Sequence, residues 1–511
     1  MSLYDPRNRK EIFYRGILDG DNSLPDPQTR EEIFLKAIAE AMPIINESTV
    51  KQTTGSSATD VMSQKAVTDA LTAIDEEINE SFQPDNFPDL PYKVYRDSHG
   101  RWSCEDIRAA QNTTGYYHYY VDSAGSDSNN GTSAATPYKT LKKAFTSSIN
   151  KDTIITVAEG SVFFEDEIYG EYQERKHLIV DGNGCMIING VKTPGWTASG
   201  TPGVYVSGDL TSTPCGCCVD TNSDNLDGYG LFKPMIPKTS LAGHVENSFW
   251  YDSTNKVMYM YPRSGADTSK IYPIRTNYGL RWNAVNATQE TMILLSDINY
   301  IGNFYDATRG STANTYTHNA YFINCKFQHN FAGDTIALND RNNIYCVNCI
   351  AGYSKQDVFN VHYTKTSEAL ILQTVNVRVN CKATNGGYYS TNNSNTNNLY
   401  TAHDGCNILR VACGGTDSAG PQIADVNGCN SINIDCDVYN AGYSGITTAA
   451  CIIFNNVDAV HSGLVRLCRV NAGDVVHNIP KLSSACVTQM FGGNLWDNAS
   501  FTNLFSVCDP L

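Results

Sequence analysis

Charge is scarce in this sequence, and basic charge scarcest of all. Asp, Glu, Lys and Arg make up 18% of the 511 residues, with 37 Lys and Arg against 53 Asp and Glu and a formal net charge of −16. That surplus of acid excludes a nucleic-acid backbone as partner, because neutralising phosphates takes local cations. Long apolar runs are missing too: no stretch reaches the roughly 18 residues of a membrane-spanning helix, so no membrane insertion is expected. The opening MSLYDPRNRK lacks the apolar core of a secretory signal. The chain is therefore expected to be made in a cytoplasm, with its 17 cysteines reduced rather than paired in a disulfide framework. The densest cysteine group, Cys215, Cys217 and Cys218, has the spacing of no common zinc finger and no nearby histidine, so no metal site is assigned to it.

What the chain has instead is amide, hydroxyl and phenol. There are 49 Asn, 30 of them after residue 300, together with 39 Gly and 30 Tyr. Polarity of that kind belongs to turns and strands, not to helices. The fold class expected is mainly β.

The first eighty residues differ from the rest. DPRNRKEIFYRGILDG (5–20) and DPQTREEIFLKAIAEA (26–41) repeat at an offset of 21. Each has an Asp before a Pro, an N-cap followed by the favoured first helical residue. Residues 1–48 thus read as two short amphipathic helices that dock to a partner. In 49–82, Val67, Leu71, Ile74 and Ile78 step by four, three and four, the seam of a short coiled coil. QPDNFPDLPY (83–92) is proline-rich and reads as the start of a linker or neck over 83–115.

From 116 to 511 short β-like runs alternate with turns. WYDSTNKVMYMYP (250–262) reads as a hairpin turning at Ser253–Asn255. Beyond 320 a repeat emerges: YFINC, IYCVNC, VRVNC, LRVAC, INIDC and VRLC end at Cys325, Cys349, Cys381, Cys413, Cys436 and Cys468. The spacings are 24, 32, 32, 23 and 32. A period in the low twenties, lengthened at intervals by about nine, is the mark of a β-solenoid with loop insertions. The cysteines are then small buried residues stacked coil on coil.

Three stretches carry a resemblance. YVDSAGSDSNNGTSAATPYKTLKKAF (120–145) resembles the entry segment of right-handed single-stranded parallel β-helix proteins of the pectate-lyase-like superfamily. VKQTTGSSATDVMSQKAVTDAL (50–71) resembles a segment of bacteriophage tail fibre and tail spike proteins, and the N-terminal duplication resembles repeats that open phage tail-associated proteins. The resemblance implies a virion receptor-binding protein: a homotrimer, attached through its N-terminus to phage tail or baseplate proteins and made in the host cytoplasm. Its β-helix would bind or cut a bacterial surface polysaccharide. The chain departs from many such spikes in having only about forty residues after the repeat, so receptor binding would fall to the helix itself.

Stacked coils place equivalent residues in columns. Counted from the repeat cysteines, and discounting the Asn-rich loop 385–401, Asp334, Asp357, Asp404 and Asp425 fall near one column on four consecutive coils. Adjacent coils are about 4.8 Å apart, so carboxylate separations suited to retaining or inverting glycosidases are both reachable. Stacked like charges raise at least one pKa, which makes a general acid. Ca²⁺ is the cation such an oxygen-rich column would suit; otherwise no cofactor is expected. The catalytic set expected is Asp357, Asp404 and Asp425 with His403 as orienting group or proton shuttle. Asp334, Lys355, His362, Arg410 and Tyr363 are the expected substrate-binding residues. Tyr353, Phe359, Tyr388, Tyr389 and Tyr400 lie in or beside these segments as rings to stack on sugars. The polysaccharide lyases of the resembled family use a Lys or Arg base with Asp-bound Ca²⁺. Lys355 with three of the aspartates matches that loosely and no lyase motif is present, so a glycoside hydrolase is favoured over a lyase. A binding-only adhesin using the same groove stays open, as does simple capping of turns by these aspartates.

Overall fold

The computed structural model describes residues 81–495, less 85–86, 98–99, 166–167, 171–175, 212–213, 278, 284–289, 308–317, 340–341, 363–373, 391–396, 427–428, 442–451, 456–463, 474–480 and 483–486; beyond Ala441 it describes backbone alone. The N-terminal helices and nearly all of the coiled-coil segment lie outside these residues. The described chain is mainly β, with parallel sheets and one α-helix, Leu141–Ser147.

Three parallel ladders run along the molecule. The first pairs, in order, Tyr117–Val121, Thr153–Val157, the start of His177–Ile188, the start of Thr291–Ile301, His318–Ile323, Asn343–Val347, Val375–Val379, Asn407–Val411, Asn430–Ile434 and the start of Leu464–Gly473. The second follows about three residues later in each coil, through Lys326–Gln328, Ile350–Gly352, Lys382–Gly386, Gly414–Ser418 and Asp437–Ala441. The third holds Ile336–Asn339, Phe359–His362, Tyr400–Ala402, Ile423–Val426 and Ile452–Asn455. From the coil of His318–Ile323 to that of Asn430–Ile434 each coil gives one strand to each ladder, so the chain climbs by one strand spacing, about 4.8 Å, per circuit.

The repeat that the sequence marks with cysteine is the corner between the first two ladders. The residue before each cysteine is left-handed: Asn324, Asn348 and Asn380 at φ 54, Ala412 at φ 52 and Asp435 at φ 51. Asn and Asp tolerate this region best among residues with a side chain. Their side chains also stack. Asn324 donates to Asp297 at 3.1 Å, Asn348 to Asn324 at 3.0 Å and Asn380 to Asn348 at 3.2 Å. The cysteine that follows turns inward. Cys325, Cys349, Cys381, Cys413 and Cys436 are all buried, and each thiol is within reach of two backbone carbonyls.

Both faces of the first ladder are covered, which is why its strands read as near-continuous apolar runs. Inward residues such as Ile344 and Ile408 join the interior; outward residues such as Val377, Val379, Leu409 and Val411 lie under residues 82–111. That stretch was expected to be a linker, and its Phe87, Val94, Trp102 and Ile107 instead find an apolar wall to bury against. Tyr92 meets Tyr321 and Tyr345 edge to face, each at 5.4 Å, and Arg108 pairs with Asp181 at 2.8 Å. The helix Leu141–Ser147, capped by Thr140, seats Leu141, Ala144 and Phe145 in the interior.

Residues 191–275 leave the stack. They form a five-stranded mixed sheet and a separate two-stranded one; the former includes the antiparallel hairpin Ser248–Asp252 with Val257–Tyr261, turned where the sequence placed it by Asp252 accepting from Thr254 and Asn255. Cys215, Cys217 and Cys218 lie on the strand Cys215–Asp220 of this insertion, all buried. Burial pushes the Cys215 thiol up to about 12.

The asparagine corner sets the first prediction. Asn348→Val puts a β-branched residue in the left-handed region and removes two amide contacts; a loss of about 1–2 kcal/mol is expected. Asn348→Gly keeps the backbone conformation and should lose less. Chemical unfolding of the two variants compares them.

Candidate functional site

The third ladder fixes where the aspartates go. Pairing Ile336 with Phe359 sets Asp334 level with Asp357, and pairing Phe359 with Tyr400 sets Asp357 level with Asn398. Two of the four expected carboxylates therefore share a column on adjacent coils, and each ties itself to the next coil. Asp334 Oδ1 accepts from the Asp357 backbone N–H at 2.9 Å, and Asp357 Oδ1 from that of Asn398 at 2.7 Å.

The other two leave the column. Asp404 follows the strand Tyr400–Ala402, at the far end of the same face, in a left-handed turn with φ 63. Asp425 pairs in register with Ala402, level with Val361 and Leu338, and that row points into the interior. There it meets Arg410 in two contacts of 2.7 Å, and Ser431 donates to it at 2.5 Å. Both ends of this pair have 0% side-chain exposure. Asp425 and Arg410 are thus a core ion pair, withdrawn from the expected catalytic and substrate-binding sets. The physical reason is position along the coil: Asp334 and Asp357 precede their strands by two residues, whereas Asp425 lies four residues further on, within Ile423–Val426, where its side chain falls in the interior row.

The outward row carries a linked polar chain. Asn360 Nδ2 donates to Asp334 Oδ2 at 2.8 Å and lies 3.0 Å from His362 Nε2. An amide donor on Nε2 makes that nitrogen the acceptor, so the ring proton sits on Nδ1, which faces Asp404 Oδ2 at 3.7 Å. His403 stacks on His362 with centroids 4.0 Å apart and planes 11° apart. Side-chain exposure is 23% for His362 and 33% for Asp404, so this end of the chain meets solvent. Lys355 is exposed on the turn before Asp357. Tyr363 lies outside the described residues.

Burial raises the Asp357 carboxyl well above its usual range, and the charge of Asp334 raises it further, against the Asn398 N–H and the Thr401 hydroxyl. A buried carboxyl beside a carboxylate is the environment that keeps a proton available for transfer. Asn360 Oδ1 and Thr335 Oγ1 are buried there without a hydrogen-bond partner. Carboxylate, amide and hydroxyl oxygens are the donor types a hard cation takes. No group of three or more acidic, His or Cys side chains converges among the described residues.

Asn360 is the residue that sequence reasoning missed. Its signal was the alternation FNVH over Phe359–His362, which sets Asn360 and His362 on one face. The aromatic expectation is corrected: Phe359 and Tyr400 stack on each other at 5.3 Å within the interior, and Tyr353 is buried against His329 at 5.0 Å.

No family model matches the chain, and no curated protein matches it. Among solved structures, one titled "Glycoside hydrolase" aligns with TM-score 0.44 and 11% identity, over 75% of this chain and 96% of the other. Another, titled "The complex structure of XylC with xylose", aligns with TM-score 0.41 and 10% identity, over 74% and 71%. Neither likeness is close enough to carry a residue's role to this chain. Among the described residues no helix is long and apolar enough to cross a membrane.

Two outcomes follow from this geometry. Asp425→Asn leaves the buried Arg410 charge uncompensated and should cost about 3–5 kcal/mol, whereas Arg410→Met with Asp425→Leu should cost less; urea unfolding measures both. The folded pKa of Asp357 lies above its unfolded value. Its contribution to stability is therefore complete below the unfolded pKa and lost as pH rises through the folded one. Asp357→Asn should flatten that alkaline-side decline in a series of unfolding curves across pH.

Proposed function

We propose that this chain is a phage virion tail spike or tail fibre protein that recognises and depolymerises a bacterial surface polysaccharide. In this reading the stacked coils are a right-handed single-stranded parallel β-helix, working as a homotrimer and joined to tail or baseplate proteins through residues 1–48. The reading rests on the sequence resemblance for the particle and on the third-ladder face for the chemistry. The observation that carries the chemistry is the Asp334–Asp357 pair: two carboxyl groups on adjacent coils, one with its pKa raised by burial and by the charge of the other.

Equivalent positions on adjacent coils are about 4.8 Å apart, close to the ~5–5.5 Å separation of retaining glycosidases. Asp357, with the raised pKa, protonates the leaving glycosidic oxygen. Asp334, kept anionic by two donors, attacks the anomeric carbon to form a glycosyl ester. Asp357, now ionised, takes a proton from the water that cleaves that ester. His362, His403 and Asp404 bind sugar hydroxyls at the solvent-facing end, and Asn360 fixes the Asp334 carboxylate. Arg410 is spent on Asp425 in the core and is no candidate base for β-elimination; hydrolysis is preferred on the Asp334–Asp357 pair, with Lys355 the alternative base. A bound Ca²⁺ would offset the carboxylate charge.

A second reading, adhesion without cleavage, is favoured by one specific observation. Each carboxylate already gives an oxygen to a backbone N–H of the next coil, and Asp357 is only 5% exposed. Incubation with host capsule or wall glycan separates the readings. Release of reducing ends by the wild type, abolished in Asp357→Asn while glycan binding persists, is expected of the hydrolase. Binding without release of fragments from any host glycan would leave the adhesin.

A further inference from the structure

The interior holds a charge that the proposed chemistry does not use. Arg378 is 1% exposed, and none of Nε, Nη1 and Nη2 meets a hydrogen-bond partner. Its guanidinium lies over the rings of Phe359 at 5.2 Å and Tyr400 at 5.9 Å, which soften an isolated cation but do not neutralise it. A buried charge without a counter-charge is costly enough that folding selects the ionisation state supplying one. The neighbouring carboxylate is already taken, since Asp425 gives both oxygens to Arg410. Arg410 is itself the in-register neighbour of Arg378 on the next coil.

On the preceding coil the residue in register with Arg378 is Cys346. It differs from the other cysteines stacked there. Cys325, Cys349, Cys381, Cys413 and Cys436 each have carbonyl acceptors for their thiol protons; Cys346, although fully buried, has none among the described residues. We propose that Cys346 is a thiolate in the folded protein and serves as the interior counter-ion of Arg378. On folding its proton leaves to solvent, and sulfur carries the charge that balances the guanidinium.

The titratable and charged groups around it are Arg378, Cys349 and Cys413, with Arg410 and Tyr400 one layer on; Cys413 is itself held well below its ordinary value, against burial, by hydrogen bonds with Cys381 and Cys436 and by the Arg378 charge, so the Cys346 variant decides which sulfur carries the charge. Cys346 is lowered from its ordinary value by the hydrogen bond with Cys349 first and by the Arg378 charge, against the effect of burial. The pair joins the first-ladder strand of the coil bearing Asp357 and His362 to that of the coil bearing Asn398 and Asp404.

The test counts thiols in the full-length wild type at neutral pH by ultraviolet thiolate absorbance and by the S–H stretching band. One thiolate per chain is expected among the 17 cysteines, and it should disappear on unfolding at the same pH. Cys346→Ala and Arg378→Met should each abolish it. Should either single variant fail to fold, Cys346→Leu with Arg378→Met, which removes both charges, should fold and show no thiolate. A wild type whose S–H bands account for all its cysteines overturns the proposal, as does a thiolate signal that survives in Cys346→Ala.

Discussion

Everything in this protein follows from one constraint: each coil must hydrogen-bond in register with the coil before it. A slip by one residue at any strand would exchange core and surface for that whole wall. The chain enforces register at its sharpest corner, where an Asn, Asp or Ala in the left-handed region precedes an inward cysteine. The asparagine amides bond along the stack, and the cysteines fill the space beneath them. Where alanine stands at 412 the amide row ends, and Asn380, besides donating to Asn348, donates to the Trp102 carbonyl at 2.8 Å. The row is thereby handed from the stack to the segment that covers it.

The candidate site is a second use of the same device. At the entry to the third ladder, Asp334 and Asp357 hold successive coils together by accepting backbone N–H groups, as turn-capping aspartates do. Placing two on adjacent coils adds what a cap alone does not have. The carboxylates are close enough for one to raise the pKa of the other, and Asn360 couples the first of them to the imidazole of His362. Structural capping and proton transfer are compatible in one carboxyl group, because an aspartate has two oxygens and the cap uses one. The interior follows the opposite logic: Asp425 and Arg410 are fully paired and sealed, which fixes geometry and leaves no proton to exchange.

Much of this was legible in the sequence. The repeat ending in cysteine gave the stacked coils, and the NC, AC and DC steps are the corners themselves. The hairpin near 250–262 was readable from its turn residues. Face assignment within a coil was less legible. Counting from a cysteine crosses a second strand and a turn of variable length, so Asp334 and Asp357 stayed in register while Asp404 shifted to the far end of the strand and Asp425 turned inward. The 82–111 segment was misread because proline content says nothing about whether Val94, Trp102 and Ile107 find an apolar wall. Asn360 was passed over because an amide among 49 carries no mark until its neighbours are placed.

The proposed function puts glycan binding on the outward face of the third ladder. The chain has ten histidines, few enough to follow singly by NMR of a histidine-labelled sample. Titration with an oligosaccharide from the host surface should move the ring signals of His362 and His403 and leave those of the buried His318 and His329 in place. Saturating binding that leaves His362 and His403 unmoved would contradict the account.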